Sequence, residues 1–215
     1  MPNRVPPPAV TAEVASIPAG TKLWRIHSGA PDRHVLSLNQ TPAHPVHGGR
    51  FDSPDGSFHY SYFGDDISVC IAETYCRSLP LDDNVPRILR RKKLEGRVLS
   101  QVQVTTEFPV ALLHGRHLAA IGQDLWLTKC DPVDYPRTQQ WAAAVVNGTE
   151  VQGIKYRARN DEDRFSVVMT VRADADPPVA LVDLMSVVRD PIPLDDASGL
   201  ELVRSHLAVY NATLR

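Results

Sequence analysis

The chain is poor in cysteine and has almost no net charge. Its 215 residues include three cysteines, Cys70, Cys76 and Cys130, and the formal net charge at pH 7 is -2. The cysteines form no CxxC pair and no cluster with histidine at zinc spacing. We therefore expect free thiols, a reducing cytoplasmic location and no metal site. Because a near-neutral chain has no long-range basic field, we expect no direct binding of nucleic acid.

Long apolar runs and glycine-rich phosphate loops are also missing. No apolar run approaches the roughly 20 residues needed to span a bilayer, and residues 1–19 lack the apolar core of a secretory signal, so no membrane contact is expected. The sequence contains no GxGxxG, GxxxxGKS/T or GxSxG motif. A dinucleotide would therefore have to be bound without the usual glycine loop.

Strand patterns outnumber helix patterns and do not alternate strictly with them. Strands are predicted over 22–26, 57–63, 87–93, 97–105, 154–157, 165–171 and 179–182, helices over 67–78, 135–146 and 197–207, and a short helix with a turn within 112–127. This order predicts an α+β fold, a compact single domain with a mixed, mainly antiparallel sheet and flanking helices. We divide the chain into an extended proline-rich leader, 1–19, and one domain, 20–215.

Two arginines in the first third of the chain lie beside apolar segments. Arg25 is placed near the end of a predicted strand, where it could pair with a carboxylate at the core edge or bind phosphate oxygens. Arg50 follows Gly48 and Gly49, which allow a close backbone approach, although such a segment is also compatible with a turn into a strand. Between the arginines lies a long aperiodic loop, 27–49, of the kind that is often functional.

Two tyrosines and a glutamate follow the arginines. Tyr60 and Tyr62 alternate on one predicted strand and so point to the same side, either into the core or toward a planar ring of a ligand. Glu73 lies within the predicted helix, as a surface residue or as a partly buried carboxylate that stabilises positive charge on a ribosyl carbon. In the buried case, Arg25 or Arg50 is the expected partner, because an unpaired buried charge is costly.

Taken in order, these segments resemble the RES domain family, the toxin domains of bacterial toxin–antitoxin systems. The resemblance covers about residues 20–205 and rests on Leu23-Trp24-Arg25-Ile26, Gly49-Arg50-Phe51, Tyr62, Ile71-Ala72-Glu73 and Gly153-Ile154-Lys155-Tyr156-Arg157-Ala158-Arg159. It implies an ADP-ribosyltransferase-like fold and a NAD-binding, catalytic domain. It also implies NAD as the substrate, cleaved at the nicotinamide–ribose bond by hydrolysis or phosphorolysis, and a protein antitoxin as the partner.

The resemblance also implies a role for each matching residue. Arg25 and Arg50 would bind the NAD phosphates and order the pocket, and Tyr62, with Tyr60 beside it, would line the nicotinamide side. Glu73 would stabilise the oxocarbenium-like transition state or orient the attacking group. Glu73, Arg25 and Arg50 form the expected catalytic set.

The chain departs from the family pattern at the second half of this site. The position of the family serine is Ala158, and Asn160 follows where a histidine is common. A methyl group cannot form a hydrogen bond with a ribose. Either Asn160 or a water replaces the contact made by the serine, or the activity is reduced, or the chemistry of the domain has changed. Two alternatives therefore stay open: an ADP-ribosyltransferase that modifies a macromolecule, and a silent domain that binds NAD, ADP-ribose or a protein. Homo-oligomerisation is left open too.

Overall fold

The computed structural model describes residues 5–41, 44, 47–82, 84–176 and 179–215. The first four residues of the predicted leader and parts of the 27–49 loop therefore lie outside it. Two sheets are present, a nine-stranded one and a two-stranded one. Their strands are β1 Val14–Ile17, β2 Lys22–Ser28, β3 Phe58–Gly64, β4 Ile88–Leu89, β5 Arg97–Val104, β6 Phe108–Leu113, β7 Gly153–Ala158, β8 Asp161–Arg172, β9 Met185–Val187, β10 Ile192–Pro193 and β11 Thr213–Leu214.

The large sheet has the order β1-β6-β7-β8-β3-β2-β5-β10, with β9 also pairing with β5. Among the described strands of this sheet, β6 and β7 pair in parallel and the other pairs are antiparallel. The small sheet joins β4 to β11 in parallel. This topology confirms the predicted α+β class with a mixed, mainly antiparallel sheet.

Helices flank the sheet, and two of them are long. The α-helices are α1 Ile67–Ile71, α2 Arg116–Ala120, α3 Trp126–Lys129, α4 Tyr135–Gly148, α5 Leu181–Leu184 and α6 Ala197–Val209, and α1 continues as a π-helix over Ala72–Cys76. The Asp66 carboxylate accepts a hydrogen bond from the Ser68 amide and so caps the start of α1. Among the described residues, no helix is long and apolar enough to cross a membrane.

Three buried clusters form the core. One packs α4, through Trp141 and Val145, on the sheet face that carries Tyr60 and Tyr156. A second lies on the sheet around Phe63, Val102 and Phe108 and includes α5, and the third joins α1 and its π-helical extension to α6. The π-helical segment that carries Glu73 is therefore held between the sheet and α6.

The structure corrects several predicted elements. The predicted strand at 179–182 is wrong, because Asp183 accepts a hydrogen bond from the Ala180 amide and starts a short helix there instead. The predicted strand at 87–93 shrinks to β4, and a 3-10 helix, Arg91–Lys93, exposes the basic run. The predicted strand at 165–171 begins earlier than expected, because β8 starts at Asp161 and only a two-residue turn separates it from β7.

The predicted leader contributes to the packed domain. Within it, β1 pairs antiparallel with β6, and the Val10 amide donates a hydrogen bond to the Ala144 carbonyl at 2.9 Å. Val10 and Ala12 are buried in the α4 cluster. The domain therefore begins before residue 20, by about Val10.

The sheet opens between β2 and β3. These neighbouring strands share a single pair, Trp24 with Gly64, whereas β2 pairs with β5 along its whole length and β3 pairs likewise with β8. Further along β3, Asn39 of the long loop takes the place of β2 by bridging Tyr60. The two strands thus diverge from Gly64, and a cleft opens between them.

We expect Gly64→Ala to destabilise the protein, because α1 packs directly on this glycine. An added Cβ would lie 2.3 Å from Val69 Cγ1 and 2.8 Å from Cys70 Sγ, both buried. Overpacking of this kind costs about 1–3 kcal/mol, measurable by thermal or urea unfolding. Ser205→Ala on the exposed face of α6 is the control and should change stability by less than about 0.5 kcal/mol. Equal stability of the two variants would contradict the packing described.

Candidate active site

The cleft between β2 and β3 has a volume of about 350 Å³. Five residues that the sequence analysis singled out line this one cleft: Arg25, Arg50, Tyr60, Tyr62 and Glu73. They come from β2, the loop before β3, β3 itself and the π-helix. The remaining lining residues are Ile26, Asn39, His47, Gly48, Gly49, Asp52, Ser61, Thr74, Arg77 and Tyr156.

A buried ion pair forms part of the cleft wall. Arg50 Nη1 lies 3.7 Å from Glu73 Oε2, and the two side chains are 2% and 18% exposed. Burial alone would lower the pKa of Arg50, but the Glu73 carboxylate beside it raises that pKa above its ordinary value. Arg50 is therefore a permanent cation, and Glu73 is the member of the pair that meets solvent.

Aromatic rings surround the Arg50 guanidinium. Its central carbon lies 5.4 Å from the ring centroid of Tyr135 and 6.0 Å from that of Tyr156, within cation–π range. Its Nε and Nη2 atoms are buried and have no hydrogen-bond partner among the described residues. The cost of burying these donors is offset in part by the aromatic faces that pack on the guanidinium.

The loop that carries Arg50 is folded around Asp52, which the sequence analysis missed. The Asp52 carboxylate accepts hydrogen bonds from the Gly49 amide at 2.7 Å and from the Tyr62 hydroxyl at 2.6 Å, and that hydroxyl accepts the Phe51 amide at 2.9 Å. Burial, then Asp52, raises the pKa of Tyr62 well above its ordinary value. Tyr62 therefore lines the cleft with its ring while its hydroxyl orders the loop.

Glycine at position 49 and two polar residues of α4 complete this loop. A Cβ on Gly49 would lie 2.5 Å from both the Tyr62 hydroxyl and an Asp52 oxygen, so no larger residue fits. From α4, Thr138 Oγ1 donates to the Arg50 carbonyl at 2.7 Å and Gln139 Nε2 donates to the Gly49 carbonyl at 3.0 Å. The backbone on both sides of the Arg50 side chain is thus fixed.

Arg25 lies at the other wall of the cleft without an acidic partner. Its Nη1 donates to the carbonyls of Val35 and Ser37, at 2.5 and 2.8 Å, and within the described part of the chain no carboxylate forms an ion pair with it. Burial, helped by Arg97 and Arg33, lowers the pKa of Arg25 to about 10, so it stays charged at neutral pH. The alternative that Arg25 pairs with a core-edge carboxylate is therefore excluded for the described residues.

A second, basic pocket of about 460 Å³ adjoins the cleft and shares Arg25 with it. Among the described residues that line it, none is acidic. The lining residues are Arg25, Ile26, His27, Ser28, Arg33, His34, Ser37, Leu38, Asn39 and Arg97. Arg33 pairs with Asp32 at 3.8 Å, whereas Arg25 and Arg97 form no ion pair within the described part of the chain. Two such uncompensated arginines favour an anionic ligand.

Ala158 and Asn160 do not line the cleft. Ala158 is fully buried at the end of β7, and Asn160 Nδ2 donates to the Cys76 carbonyl at 3.2 Å. The turn that they flank reaches the site through its backbone, since the Arg159 amide donates to Glu73 Oε1 at 2.5 Å. Among the hydrogen bonds of the described residues, Glu73 is therefore reached by the backbone of this turn and not by the Asn160 side chain.

The three cysteines are free and buried, as the sequence predicts. The His44 and His47 rings stack with centroids 4.5 Å apart. In the described ranges of the chain, no group of three or more histidine, cysteine, aspartate or glutamate residues is arranged to hold a metal ion.

Comparison with known proteins identifies the family. The RES domain family model matches residues 22–191, which is most of the chain. The protein belongs to the RES domain family. The matched RES domain contains every site residue predicted from the sequence, from Arg25 to Asn160.

A solved structure shares the fold of this RES domain. A chain in the crystal structure of the M. tuberculosis MbcT–MbcA toxin–antitoxin complex superposes with a TM-score of 0.57 at 18% identity. The match covers 91% of this chain and 92% of that one. No curated protein matches the sequence.

We expect Tyr62→Phe to destabilise the RES domain by about 1–3 kcal/mol, since it leaves the buried Phe51 amide without its acceptor and removes a donor from Asp52. Chemical unfolding measures the change. Tyr135→Phe is the matched control, because the Tyr135 hydroxyl is buried with no partner in the described structure, and its removal should cost nothing. An equal loss in both variants would argue against the role given to Tyr62.

Proposed function

We propose that this RES domain is a toxin that degrades NAD by cleaving its nicotinamide–ribose bond. The observation that carries the proposal is the Arg50–Glu73 pair, in which a fully buried guanidinium holds a partly exposed carboxylate at the cleft. Membership of the RES family and the fold shared with a toxin–antitoxin complex support the toxin role.

Cleavage of the nicotinamide–ribose bond requires charged groups placed at the reacting carbon and little covalent participation by the protein. When the bond between the ribosyl carbon and the nicotinamide nitrogen breaks, its electron pair leaves with neutral nicotinamide and positive charge develops on the ribosyl carbon. The Glu73 carboxylate, held in place by Arg50 at the cleft wall, would stabilise that charge. Water or phosphate then adds to the carbon and releases a proton, giving ADP-ribose or its 1-phosphate.

The neighbouring groups suit the rest of a dinucleotide. Tyr60 and Tyr62 form an aromatic wall of the cleft, suited to the nicotinamide ring, and Arg25 faces both the cleft and the basic pocket. We assign the phosphates to Arg25 and to that pocket, since one guanidinium group can donate two parallel hydrogen bonds to the oxygens of a phosphate. Ala158 and Asn160 are not proposed as direct NAD contacts, because they lie off the cleft.

The proposed partner is a protein antitoxin that covers the cleft and excludes NAD. We place this pair in the cytoplasm, where NAD is available to the toxin. The partner follows from the family and from the toxin–antitoxin complex of similar fold.

Incubation of the purified protein with NAD tests the proposal. We expect free nicotinamide by chromatography, and Glu73→Gln should lower kcat by about 10²–10³, the loss typical of one electrostatic stabiliser. The Glu73→Asp variant keeps a negative charge near Arg50 and should therefore fold. Its kcat should still be low, because the shorter side chain moves the carboxylate away from the reacting carbon. Glu201→Gln on the exposed face of α6 is the control and should leave kcat unchanged.

The same experiment separates the alternatives. No nicotinamide release, with or without phosphate, contradicts the proposal, and tight NAD binding without turnover would indicate a silent binding domain. Transfer of labelled ADP-ribose to a macromolecule, with little free ADP-ribose, would indicate a transferase. Full activity of both Glu73 variants would remove Glu73 from the mechanism.

Two substrates, NAD and nicotinamide riboside, test whether the basic pocket binds the phosphates. Arg97→Met should raise KM for NAD by about tenfold or more, the loss of one charged hydrogen bond, and leave kcat unchanged. Nicotinamide riboside has no phosphate, so its KM should not change. Arg204→Met on α6 is the control. An equal effect on both substrates would show that Arg97 does not act through the phosphates.

A further inference from the structure

The Glu73 carboxylate is held by two groups from opposite directions. Its Oε2 atom faces Arg50 Nη1 at 3.7 Å, which is an ion pair but too long for a hydrogen bond. Its Oε1 atom accepts the Arg159 amide at 2.5 Å. Of these two contacts only the amide has a directional hydrogen bond, so the amide sets how the carboxylate is turned.

This amide belongs to the peptide unit between Ala158 and Arg159. The carbonyl of the same unit, on Ala158, accepts a hydrogen bond from Lys129 Nζ. Because a peptide unit is planar and trans, its C=O and N–H point in opposite directions. A single rigid plane therefore has the Lys129 ammonium at one end and the Glu73 carboxylate at the other.

Several contacts keep the Lys129 ammonium at this carbonyl. It ends α3 with a side chain only 18% exposed, and Nζ also donates to the Arg157 carbonyl at 3.2 Å and pairs with Glu162. Burial lowers the pKa of Lys129, and the Glu162 carboxylate opposes that shift. An ammonium on the carbonyl oxygen also polarises the peptide, which strengthens the hydrogen bond that its N–H donates.

Two further contacts anchor the same turn. Arg159 Nη2 lies 2.6 Å from Asp131 Oδ1, in the segment directly after α3, and Asn160 Nδ2 donates to the carbonyl of Cys76 at the end of the π-helix. The turn is thus attached both to the segment that carries Lys129 and to the one that carries Glu73. These two contacts hold the turn near the carboxylate, and the Lys129 hydrogen bond acts on the orientation of the Ala158–Arg159 peptide itself.

We propose that Lys129 is a positioning residue, which orients the Glu73 carboxylate through the Ala158–Arg159 peptide. Position 158 carries only a methyl group, and the polar contact from this segment to the site is made by the backbone. The inference rests on the proposed NAD cleavage for its effect on rate, whereas the hydrogen-bond relay itself stands on the geometry. Lys129 has no contact with substrate in this scheme.

Kinetics of three variants test the role. Lys129→Met keeps the length of the side chain but loses the ammonium, so kcat for nicotinamide release should fall about 10- to 100-fold, the effect of a displaced catalytic group, with KM nearly unchanged. Lys129→Arg retains donors for the carbonyls and should recover most of the lost rate. Lys155→Met is the control, because the Lys155 ammonium lies over the Phe165 ring and not at the turn. An unchanged kcat in Lys129→Met would overturn the proposal.

Nuclear magnetic resonance reads the relay without reference to activity. The Arg159 amide proton of the wild-type protein should resonate far downfield, as expected for a short bond to a carboxylate, and move upfield in Lys129→Met and in Glu73→Gln. Glu162→Gln, on a side chain that is 62% exposed, should keep the fold and give a smaller upfield move. If neither Lys129→Met nor Glu162→Gln moves this signal, the relay is wrong even if NAD is cleaved. If the signal moves but the wild type cleaves no NAD, the proposed function fails and the relay stands.

Discussion

A buried positive charge governs the architecture of this site. Removing a guanidinium from water costs several kcal/mol, and the structure offsets that cost with the carboxylate of Glu73 and the rings of Tyr135 and Tyr156. Arg50 keeps its charge while it is buried. The groups that compensate this charge must therefore stay beside it, and so must the segments that carry them. The loop before β3, the π-helix and the start of α4 are therefore coupled through one residue.

The cleft exists because the sheet stops pairing. From the Trp24–Gly64 pair onward, β2 remains joined to β5 and β3 to β8, so each strand is supported on its outer side while the inner side opens. Asn39 bridges to β3 beyond the opening and brings the long loop to its rim. A rigid frame with a local gap can present side chains from several elements to one ligand without losing the sheet's stability.

Charge is distributed in the site in a way that suits the proposed reaction. Arg25 and Arg97, which form no ion pair among the described residues, line the basic pocket, while the Glu73 carboxylate, paired with Arg50 and partly exposed, lies on the π-helix. In the β7–β8 turn it is the backbone that hydrogen-bonds Glu73. The site therefore has a polar contact to Glu73 although position 158 is alanine. The Arg159 and Asn160 side chains anchor that turn to Asp131 and Cys76, and Lys129 of α3 donates to its Ala158 carbonyl.

By itself the sequence determined the fold class, the long helices α4 and α6, and the five residues that share the cleft. These follow from local signals: periodicity and short family segments. Only the tertiary structure decided that Arg50 and not Arg25 pairs with Glu73, that residues 10–17 belong to the domain, and that Ala158 and Asn160 lie off the cleft. It also decided the roles of Asp52 and Lys129. Strand pairing, ion pairing and tertiary hydrogen bonds join residues that are remote in sequence. The Arg159 amide and the Glu73 carboxylate, for example, are 86 positions apart, and no local pattern encodes which remote partner is met.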